Sequence, residues 1–195
     1  EYIGNNNLLD ILISNLLKKS IQNSIILYGN QGIGKSTFVY YLCKILFNKI
    51  NGNNVSQNFN LNDYHDSRLI SNSIHPNLYV VNPIYDSKTN KYKSEININQ
   101  IRELDKFIYM TSTNNLPKII LIDSADQLNK NASNALLKVL EEPTNNTYFF
   151  LISHHLSNLY PTIRSRCSKY KLFNPNFIDF EKIIKLYCNH DTDKT

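Results

Sequence analysis

The chain has no tryptophan, one methionine, five glycines and three cysteines among its 195 residues. Cys43, Cys167 and Cys188 are odd in number, widely separated and form no CxxC pair. That pattern excludes a disulfide framework and the usual zinc-ligand spacing, and it fits a reducing cytoplasm. His154 and His155 are adjacent, so their side chains diverge and make a poor joint metal site. Also missing is any run near the ~18 unbroken apolar residues of a membrane helix. No basic-then-apolar leader opens the chain at Glu1 either. We therefore expect a cytoplasmic protein with no membrane partner. Dense Lys/Arg runs are lacking too. The formal charge of +5 and the pI near 9.0 come with an abundance of Asn, Ile, Lys and Tyr. They read as composition bias rather than as a DNA-reading surface.

What the sequence does have is an alternation of short apolar runs and amphipathic stretches. Residues 7–19 carry leucines and isoleucines at helical spacing. The run 25–28 reads as a buried strand, followed by a helix from Lys35 to about Phe47. Residues 48–62 are Asn-rich and aperiodic, and read as a surface loop. A short helix is expected within 63–73, a strand at 78–81, and a loop or hairpin tip at 86–94. Ile101, Leu104 and Ile108 share a helical face, with Ile98 just before it. A buried strand covers 118–123. Ala132, Ala135, Leu136, Val139 and Leu140 define a helix that stops before Pro143. A strand follows at 148–152 and a last helix at 177–187. Strands without polar alternation are covered on both faces. The order predicts an α/β fold with a parallel sheet and helices on both sides.

The first strand runs into Gly29-Asn30-Gln31-Gly32-Ile33-Gly34-Lys35-Ser36, with Thr37 continuing into the helix. This matches G-x-x-x-x-G-K-[ST], the phosphate loop of P-loop NTPases. Glycine lets successive backbone amides face inward, and the helix adds its positive N-terminal end. Lys35 brings a point charge to the β- and γ-phosphates, and the Ser36 hydroxyl suits Mg²⁺. The strand 118–123 ends in Asp123, where a P-loop fold places a second Mg²⁺ ligand. The next position, where a carboxylate would polarise the attacking water, is Ser124, and a hydroxyl cannot accept that proton. Asp126 lies two residues further on and is read as pointing elsewhere. ATP and Mg²⁺ binding is therefore better supported than turnover.

Several further stretches carry a family resemblance. They are Asp123-Ser-Ala-Asp126, Asn134-Ala-Leu-Leu-Lys138-Val-Leu-Glu-Glu-Pro143, Tyr148-Phe-Phe-Leu-Ile-Ser153 and Pro161-Thr-Ile-Arg164-Ser-Arg166-Cys167. With the phosphate loop, they resemble the AAA+ module of bacterial clamp-loader subunits, in particular the delta-prime family of DNA polymerase III. His75-Pro-Asn-Leu78 and Ile98-Asn-Gln-Ile-Arg102 also match. The resemblance implies an AAA+ domain over residues 1–172. The start of a truncated helical lid covers 173–195, and the collar domain is absent. It implies that Ser153 is the sensor-1 residue near the γ-phosphate. It also implies that Arg166 reaches into a neighbouring subunit's ATP site as an arginine finger. Many family members carry a zinc-binding cysteine cluster after the first helix. The corresponding stretch here has none, so we expect no zinc. The implied partners are other clamp-loader subunits and, through the assembly, the sliding clamp and primed DNA. The alternative is a hydrolysing motor subunit of gamma/tau type. A small-molecule kinase is disfavoured because residues 48–95 hold only one arginine, Arg68.

Overall fold

A computed structural model describes residues 2–53, 64–86, 91–92, 95–110 and 115–188. Helix α1 covers Asn6–Leu17, strand β1 Ser24–Tyr28 and helix α2 Lys35–Ile50. Helix α3 (His65–Ser71), strand β2 (Leu78–Val81) and the short antiparallel pair β3 (Tyr85–Asp86) and β4 (Lys91–Tyr92) follow. Then come α4 (Ile98–Tyr109), β5 (Lys118–Ile122), α5 (Lys130–Glu141) and β6 (Thr147–Ser153). The chain continues through α6 (Pro161–Ser165), β7 (Ser168–Lys171) and α7 (Phe177–Cys188).

Five strands form one parallel sheet in the order β2-β5-β6-β1-β7. Side chains alternate across a strand, so each central strand feeds two cores. Ile119 and Leu121 of β5, with Tyr148, Phe150 and Ile152 of β6, join a cluster built on α1 and α2. Ile120 and Ile122, with Phe149 and Leu151, join the opposite cluster under α4 and α5. Every residue of β5 and β6 is buried, which is why neither strand alternates in polarity.

Helix starts follow their caps. Asn97 accepts from the Asn99 and Gln100 amides, and Gln100 Oε1 accepts from the Asn97 amide. This capping box makes Ile98 the first residue of α4. Asn129 Oδ1 accepts from the Ala132 amide and opens α5.

Three sequence expectations are corrected. Helix α2 runs three residues past Phe47, so Asn48 is buried in a helix and not on a surface loop. Its amide donates to Ser67 Oγ and to the Lys44 carbonyl, which supplies the partners that make burial affordable. Most of the remaining Asn-rich stretch lies outside the described residues. The fifth strand, β7, was not expected. It is a polar edge strand whose half-buried and exposed residues alternate, and it gives no apolar run. Pro161 at the first turn of α6 starts a short helix that the periodicity also left unread. Among the described residues, no helix is long and apolar enough to cross a membrane.

Candidate nucleotide-binding site

The carboxyl ends of β1, β5 and β6 meet at one edge of the sheet, the usual place for ligands in open parallel sheets. Tyr28 of β1 lies opposite Ser153 of β6, and Ile122 of β5 opposite Leu151. Residues 29–34 leave β1 at this edge and turn into α2.

Two glycines make the turn possible. Gly34 takes φ +80° as the N-cap of α2, a conformation that side chains resist. At Gly29 the constraint is space: a Cβ there would lie 2.5 Å from the carbonyl oxygen of Leu172, just past β7. Asn30 Nδ2 also reaches this segment, donating to Asn174 Oδ1 at 3.3 Å. Gln31 and Gly32 are exposed at the loop tip. The Ile33 side chain folds back beside Gly29, and Thr37 flanks Gly34. At the start of α2 the first-turn amides have no intrahelical acceptor, so they are available to an anion.

Lys35 is 5% exposed and bends over the start of the loop. Its ammonium donates to the carbonyls of Gly29 (2.9 Å) and Asn30 (2.8 Å). Burial pushes its pKa below the ordinary lysine value, while the carboxylates of Asp126 and Asp123 push it back up. Ser36 Oγ donates to Asp123 Oδ2 at 2.8 Å, joining the loop to the end of β5. These residues suit a hydrated Mg²⁺–triphosphate: a hydroxyl and a carboxylate for the metal, an ammonium and free amides for the phosphates.

The turn after β5 sets where Asp126 lies. Ser124 adopts φ +63°, and residues Ala125–Gln127 form a single 3-10 turn. The turn is held by the Ile96 amide on the Gln127 carbonyl and the Asn129 amide on the Ile96 carbonyl. It carries Asp126 back toward Lys35 and onto His154, whose Nδ1 lies 3.8 Å from Asp126 Oδ2. Asp126 Oδ1 is buried without a hydrogen-bond partner.

Ser153 is fully buried at the tip of β6. Its hydroxyl donates to the His155 carbonyl at 2.8 Å, so in this state it serves its own loop. Arg166 stands just after α6. Its Nη2 lies 2.5 Å from Glu141 Oε1 at the end of α5, and Nη1 donates to the Thr162 carbonyl. The Glu141 contact joins segments 25 residues apart on separate helices, and no local pattern announces it. The Cys167 thiol is buried, and burial pushes its pKa up to about 12, so it is not a nucleophile. Among the described residues, no group of three or more His, Cys, Asp or Glu side chains could hold a metal by itself.

The family described as DNA polymerase III, delta subunit, matches residues 4–176. The chain belongs to this family. Among its relatives, the DNA polymerase III subunit delta' of Buchnera aphidicola subsp. Acyrthosiphon pisum is 31% identical over 84% of this chain and 47% of its own length. The Pseudomonas aeruginosa subunit delta' is 39% identical over 51% of this chain and 29% of its own. This member of the delta-prime family thus spans less than half the length of either relative. A solved gamma subunit-related protein of DNA polymerase III from Thermotoga maritima superposes with a TM-score of 0.60 at 17% identity. It covers 87% of this chain and 47% of the other. A RuvB variant from the same organism superposes with a TM-score of 0.57 at 15% identity, covering 98% and 53%. At these identities the superpositions establish the fold alone, the AAA+ type of P-loop sheet.

Proposed function

We propose that this chain is the nucleotide-binding part of a clamp-loader subunit of DNA polymerase III, holding ATP and Mg²⁺ on residues 29–37. The observation that carries the reading is the 2.8 Å bond from Ser36 to Asp123. It brings together the two oxygen donors that a P-loop enzyme uses for Mg²⁺, from segments 87 residues apart in sequence. Lys35 and the first-turn amides of α2 would take the phosphates. ATP would supply the charge and binding energy that bias the subunit's arrangement with its neighbours. Ser153, beside the loop strand, would exchange its bond to His155 for one to the terminal phosphate.

In the assembly, Arg166 acts in trans. Its always-charged guanidinium would stabilise charge on the phosphate transferred in a neighbouring subunit's site. The partners are the other clamp-loader subunits and, through them, the sliding clamp and primed DNA in the cytoplasm. The nucleotide domain occupies 1–172, and 173–195 begins a helical lid. Exposed Phe177, Ile178 and Phe180 on α7 support that boundary, since such a face suits burial by further helices. No zinc is needed by this reading.

Titrating the chain with a fluorescent ATP analogue tests it directly. Saturable, Mg²⁺-dependent binding is expected, weakened at least about 10-fold in K35A, with the fold retained by circular dichroism. Absence of saturable binding by the wild-type chain would rule the proposal out.

A further inference from the structure

Strand β7 has one neighbour in the sheet, β1, and their register begins at Ile25 opposite Ser168. Arg166 lies two residues before that first pair, so it stands outside the ladder. A side chain reaches it instead. Gln22, two residues before β1, donates from Nε2 to the Arg166 carbonyl at 2.6 Å. Its Oε1 accepts from Ser168 Oγ at 2.9 Å. Both halves of one amide are thereby spent on residues 166 and 168. They bracket Cys167, whose side chain is buried in the core under α4 and α5. The Arg166 amide donates to the Ile163 carbonyl at 3.1 Å. Both main-chain polar groups of Arg166 are therefore occupied, one by α6 and one by the segment that leads into β1. The guanidinium is steered further out, by the Thr162 carbonyl and Glu141. Gln22 is exposed, and exposed bonds of this kind add little to stability, so what they supply is position. It sits at the opposite end of β1 from the phosphate loop, and nucleotide binding at residues 29–37 makes no use of it.

We propose that Gln22 is a positioning residue for Arg166, fixing the base from which the guanidinium reaches into the neighbouring subunit's nucleotide site. This rests on the trans role of Arg166 proposed above. A finger has to arrive within hydrogen-bonding distance of a phosphate held by another subunit. A displacement of about 1 Å at such a centre costs up to about 100-fold in rate, and a long side chain amplifies any rotation at its Cα. When a triphosphate replaces Glu141 as the partner of the guanidinium, that side-chain anchor is given up. The main-chain anchor made by Gln22 remains. This division of labour accounts for an amide that grips the Arg166 carbonyl and leaves the guanidinium alone. The residue type matters as well, because a side-chain amide offers a donor and an acceptor together. The acceptor, held by Ser168, aims the donor at residue 166. Gln22 itself touches no phosphate.

The test is made in the complete clamp-loader assembly. There kcat and KM for ATP at the neighbouring site are read for wild type, Q22A, Q22E, R166A and Q22A/R166A. Glutamate keeps the acceptor for Ser168 but has no N–H for the Arg166 carbonyl. Both single variants at Gln22 are expected to lower kcat at least about 5-fold, with KM and the urea midpoint of the isolated chain unchanged. The double variant is expected to match R166A, because an anchor has no effect once the finger is gone. A merely structural role would instead lower the urea midpoint and multiply the two losses. Full kcat in Q22A and Q22E, in an assembly where R166A loses turnover, refutes the role of Gln22 and leaves the finger standing. So does a double variant that falls below R166A by the same factor that Q22A shows alone. Unchanged turnover in R166A removes the finger, and this proposal with it. If Q22A fails to fold or assemble, Q22E, which has the same shape, carries the comparison, and full kcat in that variant refutes the role.

Discussion

Arg166 and Glu141 face each other at 2.5 Å, tying the segment after α6 to the last turn of α5. Both side chains are more than a third exposed. An exposed ion pair contributes between zero and about 1 kcal/mol, so this one is a weak tether rather than a structural support. E141Q should therefore shift the unfolding free energy by less than about 1 kcal/mol in urea titrations. R166A should leave the chain's own ATP affinity within about twofold. In the complete assembly it should lower the neighbouring subunit's ATP turnover by about 1,000-fold or more, the scale on which arginine fingers act. Unchanged turnover in the assembled R166A complex would remove the trans role.

Much of this architecture could be read directly from the chain. Strands β1, β2, β5 and β6 are apolar runs because the sheet is covered on both faces, and burial on two sides leaves no room for polar alternation. The phosphate loop was legible because its chemistry is local: glycines, a lysine and a serine at fixed spacing. What escaped notice was non-local or edge-bound. Strand β7 has one neighbour and a wet face, so Ser168-Lys169-Tyr170-Lys171 looks like a loop. Asn48 looks like a loop residue until Ser67 supplies its partner from another helix. Asp126 could not be aimed from sequence, because its direction depends on one left-handed residue, Ser124.

The unread strand constrains the loop that was read. A methyl group on residue 29 would meet the Leu172 carbonyl oxygen at 2.5 Å, and backbone cannot step aside as a flexible side chain can. Leu172 is itself anchored, its amide donating to the Tyr28 carbonyl. G29A must therefore move the loop or detach the end of β7. We expect destabilisation of about 1–3 kcal/mol, the range for overpacking a tight site. ATP affinity should fall at least 10-fold, read by denaturant unfolding and fluorescent-nucleotide titration. Native stability with native affinity would show that the loop has more slack than the contact allows.

His75 gives the chain a dependence on acid. It is buried, stacked on Phe47, with Nε2 3.4 Å from Asp66 Oδ1 and Nδ1 accepting the Asn77 amide. Burial lowers its pKa, outweighing the Asp66 carboxylate, which raises it. The folded protein thus keeps His75 neutral at a pH where the unfolded chain has begun to protonate it. Between about 6.5 and the lowered native value, the unfolded state binds more protons, so stability falls as pH falls. Above about 6.5 the contribution is complete and flat. Urea midpoints should be constant from pH 8 to 7 and decline below about 6.5, with a shallower decline in H75Q. Equal slopes in the two proteins would assign the acid sensitivity to other groups.

Lys118 is another buried ionisable group away from the nucleotide site, and its role is to close a helix. It opens β5, 6% exposed, yet its ammonium reaches across to the end of α4. There it donates to the carbonyls of Phe107 at 2.9 Å and Ile108 at 2.5 Å, and to that of Met110. Those carbonyls have no intrahelical donor, and a cation at a helix C-terminus also opposes the negative end of its dipole. Burial lowers the lysine's pKa, which means that its charge costs something to keep and the three bonds must offset that cost. Methionine at this position keeps the stem and its packing but leaves the carbonyls unpaired. K118M should therefore lose about 2–4 kcal/mol, as expected when bonds to a buried charged donor are removed. The loss should concentrate in α4, seen as faster amide hydrogen exchange over residues 104–110 while α2 and the phosphate loop stay protected. A uniform increase in exchange would mean that Lys118 stabilises the sheet as a whole rather than the helix end it contacts.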